Sequence, residues 1–179
     1  MRIIAGDLKG RKLQTPKDSS QVRPTTDKVK EGIFNTIAQY IEDAVIVDLF
    51  CGTGNLGLEA ISRGAKFCYF ADKSRLSLAL AKTNADHCKV LDQSAFIQGD
   101  FIKVLEKIED KVDIFFLDPP YEGAFMMKAF QAISEKKILA QGGIILAEHG
   151  KREILPDEVF GFIKQKEKRY GSIMISIFQ

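Results

Sequence analysis

Residues 45–57 read Val45-Ile46-Val47-Asp48-Leu49-Phe50-Cys51-Gly52-Thr53-Gly54-Asn55-Leu56-Gly57. The apolar run from Val45 to Phe50 predicts a buried strand that enters a glycine turn. Gly52, Gly54 and Gly57 satisfy G-x-G-x-x-G, and Leu56, Leu58, Ala60 and Ile61 give the following stretch, Asn55 to Arg63, helical spacing. A strand-to-helix turn is the context in which that glycine spacing has meaning. Asp72 closes the next apolar run, Phe67 to Ala71, where a carboxylate can take ribose hydroxyls. The stretch therefore predicts an adenosine-containing cofactor lying across the turn. Glycines serving only a tight turn would leave Asp72 and its position without a reason.

Outward from this stretch, apolar strand runs alternate with helices. Strands are expected at Ala95 to Gln98, Val112 to Leu117 and Ile144 to Ala147, the last after the breaker pair Gly142-Gly143. Helices are expected at Leu76 to Ala85, Phe101 to Ile108 and Phe125 to Ser134. This rhythm predicts an α/β fold with a parallel sheet covered on both faces. Phe160 to Ile163 and Ile173 to Phe178, on either side of a charged stretch with Gly171, read as an antiparallel pair. Upstream, Val29 to Ile41 is an amphipathic helix with Asp27 expected as its cap, and residues 2–14 predict a small hairpin around Asp7 to Gly10.

A chain of 179 residues with 45% hydrophobic and 28% charged residues has the length and composition of a single domain with a real core. No apolar stretch approaches the roughly 20 residues of a membrane span, and no apolar leader marks it for secretion. Cys51, Cys68 and Cys88 form no CxxC pair, so a reduced cytoplasmic protein without a metal site is expected. Cys51 beside the glycine loop reads as a small core-facing residue and not as a nucleophile. The net charge of +2 conceals an asymmetry. Residues 1–30 carry eight Lys/Arg against three Asp, and the remainder carries 18 Lys/Arg against 21 Asp/Glu. A basic segment on a near-neutral body suits contact with a polyanion, with Arg2, Lys9, Arg11 and Lys12 the candidate phosphate contacts. Lys164, Lys166, Lys168 and Arg169 read as the solvated face of the hairpin.

Three successive strands end in acids: Asp48, Asp72 and, after Gly99, Asp100. Asp48 would repel the pyrophosphate that a dinucleotide places at such a helix start, and suits a cationic amino-acid moiety instead. Three acids in this arrangement fit S-adenosylmethionine better than NAD. The fourth strand runs into Asp118-Pro119-Pro120-Tyr121. The Asp118 carboxylate and the Pro119 carbonyl can both accept hydrogen bonds from one planar NH2 group, and Tyr121 supplies a face for a heterocycle. An exocyclic base amine is a weak nucleophile and must be oriented before it attacks.

Together these residues resemble the class I S-adenosylmethionine-dependent methyltransferases. The blocks Arg2-Ile3-Ile4-Ala5-Gly6, Gly10-Arg11-Lys12-Leu13 and Arg23 through Asn35 are similar to the RsmD family, bacterial 16S ribosomal RNA guanine-N2 methyltransferases. The resemblance runs from residue 2 to the last strand. It implies a Rossmann-like, mostly parallel seven-stranded sheet with an antiparallel C-terminal strand and a small N-terminal hairpin. Residues 1–26 would form the basic arm and 27–179 the core of one domain. It further implies that Asp48, Phe50, Gly52 and Gly54 cradle the methionine part of S-adenosylmethionine. Asp72 would hold the ribose, Asp100 and Phe101 would flank the adenine, Arg23 with Thr25 would close over the cofactor, and Lys73 would also bind it. Asp118, Pro119, Pro120 and Tyr121 become the catalytic motif, and 16S ribosomal RNA or the assembling small subunit the partner of a monomer.

Three other readings remain open on the sequence. A DNA or RNA adenine-N6 methyltransferase uses a related tetrapeptide, a non-catalytic RNA-binding module keeps the fold, and an NAD-linked oxidoreductase keeps the glycine pattern. The intact tetrapeptide argues against the last two.

Overall fold

Strand β1 (Val45–Asp48) lies between parallel neighbours β2 (Phe67–Asp72) and β4 (Val112–Leu117). In the computed structural model, which describes residues 1–16, 26–120 and 125–179, β2 pairs outward with β3 (Ser94–Gln98) and β4 with β5 (Leu139–Gly150), both parallel. Beyond β5 the sheet turns antiparallel through β8 (Ile173–Phe178), β7 (Phe162–Tyr170) and the two-residue β6 (Glu158–Val159). The order among the described residues is β3-β2-β1-β4-β5-β8-β7-β6. The sheet is thus mostly parallel with antiparallel C-terminal strands, as expected. It has eight strands because the short edge pair Glu158–Val159, too brief to read as an apolar run, adds to β7.

Among the described residues five α-helices cover the sheet: α1 (Asp27–Ile37), α2 (Asn55–Ser62), α3 (Arg75–Cys88), α4 (Phe101–Glu106) and α5 (Phe125–Lys136). Successive side chains of a strand point to opposite faces. Accordingly Ile114 and Phe116 join the core under α1, α2 and α3, while Phe115 and Leu117 join the core under α4 and α5. The order of crossovers reverses between β1 and β4, and the carboxyl end of such a switch point is where open α/β sheets bind ligands.

Three local expectations are corrected. Thr26, not Asp27, caps α1: its Oγ1 accepts the Val29 N–H at 3.4 Å, and Asp27 becomes the acidic first residue of the helix. β5 does not start after Gly142-Gly143 but runs through them, because a register shift between Val112 and Ile114 of β4 absorbs the extra residues as an irregularity. The charged stretch 164–169 is strand, part of β7, so the hairpin turn is confined to Gly171 and its neighbour. The N-terminal hairpin is present as a bridge between Arg2 and Lys12, with Ile3 and Arg11 and then Leu13 and Met1 hydrogen-bonded across it.

Candidate active site

The glycine turn follows β1 directly. Gly54 takes a left-handed φ of +78° as the residue before α2, a conformation that costs glycine nothing. Gly57, one turn in, is required by close packing instead, since a Cβ there would lie 2.4 Å from Phe70 Cε1 and 2.7 Å from Cys68 Sγ. The helix therefore sits flat on β2, and its first turn stays beside the strand ends. Asp72 braces the turn, with Oδ2 accepting the Gly52 N–H at 3.0 Å and Oδ1 accepting the Ser74 N–H at 2.8 Å. Each ionised carboxylate oxygen keeps a further lone pair for a ribose hydroxyl.

Asp48, the last residue of β1, is buried, and its Oδ2 accepts the Gly57 N–H at 3.0 Å. Burial raises its pKa to about 7; the Gly57 bond opposes the rise, and the nearby charges of Asp118 and Asp72 add to it. A carboxylate this costly to ionise is a strong partner for a cation. Asp100 is exposed and caps α4, its Oδ1 accepting the Ile102 N–H at 3.0 Å. The backbone N–H of Gly99 donates to Asp72 O at 3.2 Å, which draws that turn toward the second acid. Phe50, Phe101 and Phe125 form a chain of rings with centroids 5.8 and 6.4 Å apart, an apolar wall by the same strand ends. Lys73 is exposed beside Asp72.

Asp118 follows β4, half-buried, and burial raises its pKa to about 6. Pro119 and Pro120 line a cavity of about 420 Å³ together with Met126, Glu148, His149, Arg152 and Glu153. That is within the roughly 300–1,000 Å³ of small-molecule sites. Two other cavities, of about 300 and 180 Å³, lie at the amino ends of the strands, the opposite edge from the acids. Arg23, Thr25 and Tyr121 lie outside the described residues. Among the described residues no cluster of His, Cys, Asp or Glu could hold a metal, and no helix is long and apolar enough to cross a membrane.

The hairpin residues are partly committed elsewhere. Arg2 Nε pairs with Asp27 Oδ2 at 2.9 Å, and Arg11 Nη1 donates to His87 O at 2.8 Å, whereas Lys9 and Lys12 are exposed. What the sequence reading missed is the buried polar network that docks this hairpin on α2. Glu59 accepts the Ile4 and Ala5 N–H groups at 2.9 and 3.0 Å, Lys30 Nζ at 2.9 Å and Arg63 Nε at 2.8 Å. Lys30 also donates to Asn55 Oδ1 at 2.8 Å, and Asn84 Nδ2 to Thr53 O at 2.9 Å, so the network reaches the glycine turn itself. A signal for it exists: Lys30 occupies the apolar face of α1 at helical spacing with Ile33, Phe34 and Ile37.

A parallel sheet with this switch point, a glycine turn flanked by strand-end acids and a proline-rich β4 terminus define an α/β methyltransferase. The family described as conserved hypothetical protein 95 matches residues 1–179. The chain belongs to that family, the RsmD family of small-subunit ribosomal RNA methyltransferases. It is 32% identical over 184 residues to ribosomal RNA small subunit methyltransferase D of Escherichia coli (strain K12), covering 100% of this chain and 89% of that protein. It is 33% identical over 187 residues to the protein of the same name from Haemophilus influenzae, with 100% and 93% covered. Among solved structures, yhhF from Escherichia coli superposes with a TM-score of 0.87 at 28% identity, over 100% of this chain and 97% of that one.

Proposed function

We propose that this methyltransferase uses S-adenosylmethionine to methylate the exocyclic N2 amine of a guanine in 16S ribosomal RNA. The observation that carries the reading is adjacency: the glycine turn ends β1, Asp118-Pro119-Pro120 ends β4, and these two strands are hydrogen-bonded neighbours. The turn suits the cofactor, since a Cβ at Gly52 would meet nothing within 4 Å and the buried Asp48 carboxylate offers a site for an ammonium group. Asp48, Phe50, Gly52 and Gly54 would hold its methionine part, Asp72 and Lys73 its ribose, Asp100 and Phe101 its adenine, with Arg23 and Thr25 over it. When bound, S-adenosylmethionine supplies an electrophilic sulfonium methyl.

The protein's own work is orientation. Asp118, with a pKa of about 6, is mostly ionised at neutral pH and so acts as an acceptor. Its carboxylate and the Pro119 carbonyl accept from the two N2 hydrogens while Tyr121 stacks on the base turned out of the RNA. Those bonds draw the nitrogen lone pair out of conjugation with the ring. After transfer the methylated nitrogen is strongly acidic and releases its proton to solvent, so Asp118 need not act as a base. The chain acts as a single domain and a monomer in the cytoplasm, on 16S ribosomal RNA or the assembling small subunit, with Lys9 and Lys12 of the hairpin on phosphates.

Asp118→Ala tests this. Calorimetry with S-adenosylhomocysteine is expected to give near-normal affinity, while methyl transfer to small-subunit RNA falls by roughly 10²-fold or more. Mass spectrometry of the digested RNA should find N2-methylguanosine as the product of the wild type. N6-methyladenosine, or an active Asp118→Ala enzyme, would overturn the reading.

A further inference from the structure

The motif at the end of β4 holds an amine but does not say which base the amine belongs to. That is decided by what borders the amine. In guanine the N2 amine is followed along the Watson–Crick edge by the N1–H donor and the O6 acceptor. In adenine the N6 amine is followed by the bare N1 lone pair. A guanine site must therefore set an acceptor beside the amine clamp and a donor beyond it. An adenine site must set a donor where the guanine site has its acceptor.

The next strand over supplies that neighbour. Leu117, the last residue of β4, pairs in register with Ala147 of β5, so Asp118 is the first residue beyond β4 and Glu148 the next residue of β5. Glu148 is 4% exposed and lines the cavity beside Pro119 and Pro120, with Arg152 on the same wall. An ionised glutamate only accepts and a guanidinium only donates.

The turn that carries Arg152 is pinned. The buried His149 donates from Nδ1 to Glu153 O at 2.8 Å, and its Nε2 lies 2.9 Å from Ser176 Oγ, which in turn donates to Glu167 Oε2 at 2.9 Å. Glu153 N–H closes back on Gly150 O at 2.9 Å, and Lys151 N–H on Ser172 O at 3.0 Å. Three strands thus hold this turn at the cavity wall.

We infer that Glu148 and Arg152 are the specificity-determining residues for guanine, Glu148 accepting the N1–H and Arg152 donating to O6. This rests on the function proposed above. An adenine in the same place turns its N1 lone pair toward the Glu148 carboxylate and is repelled. Glutamine at 148 offers both a donor and an acceptor, the pair that suits adenine-type edges.

The probe is 2-aminopurine, which keeps the 2-amine but has a bare N1 and no O6. Small-subunit RNA is prepared by splinted ligation with guanine or 2-aminopurine at the nucleotide mapped for the wild type. Wild-type kcat/KM is expected to favour guanine by about 10–100-fold, the range for one well-placed base contact. Glu148→Gln is expected to lower that preference several-fold, leaving the share due to Arg152 and O6, and Glu148→Gln with Arg152→Met to bring it below about threefold. Each ratio is internal to one variant, so partial loss of fold does not alter it. The same ratio read as equilibrium binding with S-adenosylhomocysteine present covers a variant that has lost turnover. A Glu148→Gln enzyme that keeps the wild-type preference overturns the inference and leaves the proposed function standing. A wild type that leaves guanine N2 unmethylated overturns the proposed function and this inference with it.

Discussion

Asp48 is 3% exposed, and its pKa rises from 3.8 to about 7 because burial disfavours the charged form. Asp118, by the same cause, rises to about 6. A carboxyl whose pKa is higher folded than unfolded holds its proton more tightly in the folded state. Its contribution to stability is complete below pH 4 and is lost as pH rises through the folded value. For Asp48 that window runs from about pH 4 to 7, and the displacement corresponds to something on the order of 4 kcal/mol. The cofactor-free protein is expected to lose melting temperature across this window. Asp48→Asn, whose amide is neutral at every pH and still accepts from Gly57, should flatten much of that slope. Thermal melts of both proteins from pH 4 to 8 decide it, and parallel curves would show that Asp48 does not set the pH response. A nearby cation offsets the same penalty, which is why a buried acid at the end of β1 suits a positively charged cofactor.

The elements that matter most here, α1, α2 and the hairpin, meet at Glu59. Its two oxygens accept from Ile4, Ala5, Lys30 and Arg63, and the guanidinium of Arg63 lies 4.8 Å from the centre of the Phe34 ring. Lys30 and Glu59 are 1% and 0% exposed. Burial lowers the Lys30 pKa, against the raising effect of Glu59. Removing one member of a buried pair strands the other, at about 3–5 kcal/mol, whereas replacing both with apolar groups is often neutral. Glu59→Ala is therefore expected to cost about that much in urea unfolding, and Lys30→Met with Glu59→Leu to recover most of the loss. Equal destabilisation by the double variant would mean that the backbone bonds from Ile4 and Ala5, not the ion pair, carry the docking. These elements also mark the limit of what the chain declares by itself. The strands, the glycine turn and the end of β4 before Asp118 are legible because apolar runs, glycine spacing and proline are local signals. Glu59 meets Ile4 from 55 residues away, and nothing local announces it beyond a lysine out of place on an apolar face. Thr26 displaced Asp27 as a cap through a bond just as local, Oγ1 to the Val29 N–H, whereas β5 crossed a glycine pair because pairing with β4 outweighed local preference.

For the whole molecule, charge distribution was readable and its commitments were not. The surplus of positive charge lies in residues 1–30, yet folding assigns Arg2 to Asp27 and Arg11 to the carbonyl of His87 at the end of α3. Lys9 and Lys12 keep their ammonium groups in solvent on the hairpin. Surface charges already paired within the protein gain little by exchanging one partner for a phosphate, so the two lysines should dominate any phosphate contact. Each such contact releases condensed counterions and contributes roughly 0.7–0.9 to the slope of log affinity against log salt. Replacing Lys9 and Lys12 together by Ala is expected to flatten the slope for 16S ribosomal RNA by about 1.5, and Arg2→Ala by much less. Fluorescence anisotropy between roughly 50 and 200 mM salt resolves that difference. An unchanged slope in the double variant would mean that the hairpin points its lysines at water and that the RNA is held from another face. An equal effect of Arg2→Ala would mean that the pair with Asp27 opens when RNA binds.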